Sequence, residues 1–79
     1  MVLMTNIKKS KDTISCNIYP EESTEAGTIT VDYTGAVLDY ALPRGYEDCY
    51  NCIPHASAEL VNMLNGKSRI LREKLVIWC

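Results

Sequence analysis

Hydrophobic and polar residues alternate along most of this chain, and the alternation gives way once to a helical period before it resumes. Residues 13–19 set Ile14, Cys16 and Ile18 against Thr13, Ser15, Asn17 and Tyr19. That period of two belongs to a strand with one face buried, so Cys16 is placed with the core. Pro20 ends the strand, because proline has no N–H to give to a ladder. Residues 28–34 repeat the pattern, with Ile29, Val31 and Tyr33 on one side and Thr28, Thr30 and Asp32 on the other. Asp32-Tyr33-Thr34-Gly35 predicts a type I turn with Gly35 left-handed, folding the strand back as a bulged hairpin. Residues 36–42 return as its partner, Leu38, Tyr40 and Leu42 alternating with Val37, Asp39 and Ala41. Pro43-Arg44-Gly45 then turns the chain.

The period changes near Cys52. Ile53, Ala56, Leu60, Val61 and Leu64 make one apolar stripe on a helix over residues 52–65, with His55, Glu59 and Asn62 on the opposite face. Asn51 is the candidate N-cap, Pro54 fits the first turn, and Asn65-Gly66 supplies the stop. Residues 75–78 resume as a last strand that brings Trp78 to the sheet. Residues 1–11 carry Val2, Leu3, Met4 and Ile7 without a clean period, and read as either an edge strand or a loose arm. Residues 21–27 (EESTEAG) are a polar loop whose carboxylates lack metal-ligand spacing. The expected fold is α+β. It has two layers, a three- to four-stranded antiparallel sheet packed against one helix, in β-β-β-α-β order.

A chain of 79 residues accommodates one domain. A domain of that size buries only ~60–65% of its unfolded surface, so a metal, a disulfide or a partner chain commonly adds to its stability. The net charge of −2 provides no overall basic field, and no nucleic-acid partner is expected. The charges are uneven, however. Lys8, Lys9 and Lys11 lie near one end, Lys67, Arg69, Arg72 and Lys74 near the other, and carboxylates fill the middle. Were the two ends to meet, they would form a basic patch, the one feature favouring nucleic-acid contact. No run approaches the ~20 apolar residues that span a bilayer. The first residues lack the basic, apolar and small-residue order of an export signal. The expectation is a cytoplasmic protein with no membrane partner.

Chemistry concentrates in residues 45–55, where Cys49-x-x-Cys52 is followed by His55, the only histidine. Three readings compete. Cys49, Cys52 and His55 could ligate zinc, with Cys16, Cys79 or a carboxylate as fourth ligand, although the second close Cys/His pair of a strong zinc sequence is missing. A thiol at a helix N-terminus is also suited to redox chemistry, but a thioredoxin-like site follows a βαβ pattern and here a hairpin precedes it. The third reading makes the cysteines small core residues. No disulfide framework is expected without a sign of export. Phosphate-cradling and dinucleotide-binding glycine motifs are absent, and zinc is the only cofactor suggested. Tyr40, Tyr46 and Tyr50 gather between hairpin and helix, a composition suited to an interface. Their neighbours Asp39, Glu47 and Asp48 count against stacking on nucleic acid.

The run Leu42-Pro43-Arg44-Gly45-Tyr46-Glu47-Asp48-Cys49, continuing to His55-Ala56, and the segment Glu73-Lys74-Leu75-Val76-Ile77-Trp78 resemble a family of small uncharacterised proteins of gut-type Firmicutes. The resemblance covers residues 28–79. It implies a hairpin leading into an LP-x-GY segment, a Cys/His-bearing helix and a strand ending in Trp, and it implies no activity. Some of those proteins carry His at the position of Cys52, and this chain has Cys79 where an aromatic is expected. Together these readings lead to a small non-enzymatic module that acts through protein–protein contact or self-association. The alternative is a zinc- or thiol-dependent protein that uses Cys49, Cys52 and His55.

Overall fold

A computed structural model describes residues 1–49 and 51–77. The elements are β1 (Val2–Lys9), β2 (Thr13–Pro20), β3 (Gly27–Asp32), β4 (Val37–Ala41), α1 (Cys52–Leu64) and β5 (Lys74–Val76). The five strands form one antiparallel sheet in the order β4-β3-β2-β1-β5. The class is α+β, as the hydrophobic pattern predicts. The sheet has five strands because the ambiguous residues 1–11 supply β1. That strand lies inside the sheet, between β2 and β5. Trp78 of the expected last strand lies outside the described residues.

A bulge explains why β1 shows no clean period. Its ladder with β2 loses register between Thr5 and Lys8, where Asn6 adopts a left-handed backbone (φ 53°). The inward residues are therefore Val2, Met4 and Ile7, spaced by two and then by three. The Ile7 N–H is taken up by the Arg72 carbonyl at 3.0 Å, on the chain leading into β5. By contrast, β2 alternates without interruption, and Ile14, Cys16 and Ile18 are all buried.

The core lies between one face of the sheet and α1. Val2, Met4, Ile14, Ile18, Ile29 and Val31 meet Ala56, Leu60 and Met63 there. On α1 the buried positions Cys52, Ala56, Leu60 and Met63 recur at helical spacing, flanked by the half-buried Ile53, Val61 and Leu64. Asn51 is the N-cap through its backbone, with no side-chain cap bond. The far end closes with paired bonds, Lys67 N–H to the Asn62 carbonyl (2.8 Å) and Gly66 N–H to the Met63 carbonyl (3.3 Å). Gly66 makes this possible with φ +77°, a conformation that costs a residue without Cβ little. The Asn65 side-chain amide donates to the Tyr33 carbonyl at 3.1 Å, tying the helix end to the β3–β4 turn. The Lys74 ammonium meets Glu59 at 2.6 Å, fastening β5 to the helix.

The β3–β4 turn forms as its sequence predicts. Gly35 N–H donates to the Asp32 carbonyl at 3.1 Å, and Asp32 N–H donates to the Ala36 carbonyl at 3.0 Å. The Asp32 carboxylate accepts from the Thr34 hydroxyl (2.6 Å), the Thr34 N–H (2.9 Å) and the Ala36 N–H (3.0 Å). These bonds, the Thr34 hydroxyl first, hold its pKa below the ordinary carboxylate value. At the other end of the hairpin, a Cβ on Gly27 would collide with the Ala41 carbonyl oxygen and crowd Pro43. Gly27 thus lets the end of β4 close against β3, which sets where Pro43 and the loop after it begin.

Candidate functional site

Among the described residues, strand β4 is a free sheet edge, and all five of its residues are exposed. It also contains a second bulge. Asp39 opposes Thr30 and Val37 opposes Val31, leaving Leu38 as the extra residue. Directly opposed residues of an antiparallel pair point to the same side of the sheet. Tyr40 faces Ile29 and Val37 faces Val31, and both of those partners lie in the core under α1. The bulge therefore brings Val37 and Tyr40 to the helix side together. An unbroken alternation would put them on opposite sides.

Between this edge and the start of α1 lies a shallow cleft of about 260 Å³, lined by Val37, Tyr40, Leu42, Glu47, Cys49 and Ile53. The wall leading into α1 is a run of three linked turns: Tyr46 N–H bonds to the Pro43 carbonyl (3.0 Å), Cys49 N–H to that of Tyr46 (3.0 Å), and Cys52 N–H to that of Cys49 (3.2 Å). Glu47 Oε2 accepts the Gly45 N–H at 2.9 Å, which keeps a carboxylate at the mouth of the cleft. Glu47 is the one charged residue in this lining, whereas Asp39 opposes Thr30 and lines a hollow on the other face of the sheet.

Cys49 and Cys52 are joined by a disulfide, with Cα atoms 5.6 Å apart. A bonded sulfur has no thiolate to offer a metal. Among the described residues, no three His, Cys, Asp or Glu side chains are grouped to hold a metal ion. The structure thus gives the expected zinc set of Cys49, Cys52 and His55 no support. His55 lies half-buried one turn along α1, and its N–H donates to the Asn51 carbonyl at 3.3 Å. Cys16 is buried, and burial pushes its thiol up to about 12, so it remains protonated and inert at neutral pH. Cys79, considered above as a fourth ligand, lies outside the described residues.

Of the expected tyrosine cluster, Tyr40 lines the cleft and is 56% exposed. Tyr46 is half-buried in the turn before Cys49, and Tyr50 lies outside the described residues. Sequence reasoning missed Val37, Leu42, Glu47 and Ile53 as site residues. Leu42 and Ile53 carry the same signal as core residues, and only the bulge at Leu38 reveals Val37.

Two other hollows are more polar. The larger, about 580 Å³, lies at the β1 bulge and is lined by Lys8, Arg72 and Glu73 among others. The other lies on the face of the sheet away from α1, among Ser15, Asn17, Thr28 and Thr30. Along that face Tyr19, Leu3 and Leu75 oppose one another across β2, β1 and β5. No helix among the described residues is long and apolar enough to cross a membrane. Comparison of the chain with protein-family models, with curated proteins and with solved structures finds no match. The resemblance drawn from residues 28–79 therefore rests on those residues alone.

Proposed function

We propose that this protein is a small interaction module that takes up an extended segment of a partner protein along β4. A free edge offers unpaired backbone N–H and C=O groups to a further strand, and a pocket beside the edge selects a side chain of the added strand. The observation that carries the reading is the pairing of these two features. Along β4, all five residues are exposed, and the cleft of Val37, Tyr40, Leu42 and Ile53 opens beside them. Glu47 in the cleft lining gives the fitting segment a basic as well as an apolar residue.

The test uses synthetic peptides of about eight residues, near the usual strand length. One alternates valine and lysine, a second replaces the lysines by glutamate, and a third carries prolines at alternate positions. Fluorescence anisotropy should show binding of the first, weakening with salt, and loss with each of the others. Tyr40→Ala should weaken binding by about tenfold, equivalent to ~1.4 kcal/mol. Equal binding of the proline peptide would exclude strand addition. The competing reading is that copies of this chain associate through the β4 and β5 edges of the sheet. Concentration-dependent growth in mass without peptide, with no peptide affinity, would assign the edge to self-association.

A further inference from the structure

We infer that Cys49 and Cys52 form a thiol–disulfide exchange site, in which Cys49 meets the incoming thiol and Cys52 is the sulfur that leaves. The asymmetry of the pair carries this inference. Cys52, the first residue of α1, is fully buried, whereas Cys49 is half-buried and lines the open cleft. An incoming thiol therefore approaches Cys49 from the cleft and has no equivalent route to Cys52. The bond is also a poor structural staple. It closes a loop of sequence separation 3, and the Cys52 N–H already bonds to the Cys49 carbonyl across the same turn. A crosslink over so short a loop constrains the unfolded chain least. The remaining free cysteine among the described residues, Cys16, is enclosed in the core and takes no part.

The reaction balances with thiols as the co-reactant class. A thiolate attacks Cys49 Sγ, the Cys49–Cys52 bond breaks, and Cys52 Sγ receives the electron pair. A mixed disulfide now joins the incoming sulfur to Cys49. A second thiolate attacks the incoming sulfur, forms a new disulfide with it and releases Cys49 Sγ as a thiolate. The protons of the two thiols end on Cys49 and Cys52, so two thiols are oxidised to one disulfide and the protein disulfide is reduced to a dithiol. Position favours the first step. The Cys52 thiolate forms at the first residue of α1, where the positive end of the helix dipole offsets part of the cost that burial imposes on a thiolate. A better stabilised thiolate leaves faster. The exchange does not require a docked strand, so it stands apart from the docking reading.

The experiment uses the whole chain with Cys79→Ser, so that labelling reports on the pair and on Cys16. Cys52→Ser and Cys49→Ser variants are exposed to oxidised glutathione, quenched with acid and mapped by mass spectrometry. The adduct on Cys49 should form at least about tenfold faster than the adduct on Cys52, with Cys16 unmodified. Because either variant alters the turn that starts α1, the parent disulfide is also treated with limiting glutathione and alkylated. Mixed disulfide should then be found on Cys49 and carboxamidomethyl on Cys52. A valine–lysine peptide with one cysteine is run beside glutathione. Faster reaction of the peptide assigns the thiol to a protein segment, and equal rates assign it to a small thiol. Equal labelling of both cysteines, or a folded disulfide no more reactive than that of the urea-unfolded chain, would overturn the inference.

Discussion

Strand β2 is hydrogen-bonded on both sides and lays Ile14, Cys16 and Ile18 under α1, whereas β4 is bonded on one side and exposed on all five residues. The two strands divide the duties of one small sheet. Burial along β1, β2, β3 and α1 supplies the hydrophobic stabilisation, and β4 contributes little to the core. Unpaired backbone groups and apolar side chains at the same edge leave β4 available for contact. On the proposed reading, stability and recognition lie in different strands and can be broken separately.

The largest effect is expected in the interior. Ile29→Ala or Leu60→Ala empties a fully buried site and should cost ~2–5 kcal/mol, measured by urea unfolding. For a domain this small, that is a large share of the total stability. Gly27→Ala comes next, at about 1–3 kcal/mol, because its Cβ meets the Ala41 backbone, which cannot swing away as a side chain can. This substitution also joins the two regions, since it shifts the end of β4 and should weaken peptide binding. A Gly27→Ala protein as stable as the parent would show that β4 can part from β3 without cost.

Asp32 sets a smaller, pH-dependent effect at the hairpin turn. Its folded pKa lies below the ordinary carboxylate value, so the unfolded chain binds its proton more readily. The stabilisation is therefore complete above the ordinary carboxylate range and is lost as pH falls through the folded value. Thermal melts of parent and Asp32→Asn should differ at neutral pH and converge in acid. Smallest of all, Leu38→Ser and Tyr40→Ala should change stability by no more than ~0.5 kcal/mol, as both residues are 56% exposed. For Tyr40→Ala this near-neutral stability should accompany the loss of peptide affinity.

Most of the interior was legible in the sequence because nothing interrupts the periods of β2, β3 and α1. Ile14, Cys16 and Ile18 alternate cleanly, Ala56 and Leu60 keep helical spacing, and Asp32 to Gly35 spells its own turn. What the sequence concealed follows from its two bulges. An extra residue shifts a period of two by one step, so Ile7 loses its link to Met4 and Val37 appears opposed to Tyr40. The first shift hid an interior strand, and the second hid one wall of the cleft. Alternation also says nothing about coverage: β4 alternates as β2 does, but α1 is centred over the other strands. The Cys49–Cys52 spacing was visible as chemistry. Its disulfide and its unequal exposure depend on the fold, because the turns after Pro43 decide which sulfur faces the cleft.

The most direct test of the docking edge is amide hydrogen exchange along β4, with and without the valine–lysine peptide. Amides of β4 not bonded to β3 should exchange rapidly in the free protein and slow by about tenfold or more when the peptide is bound, while those of β2 remain protected throughout. Binding that leaves β4 exchange unchanged, or that protects the β5 side instead, would contradict the account.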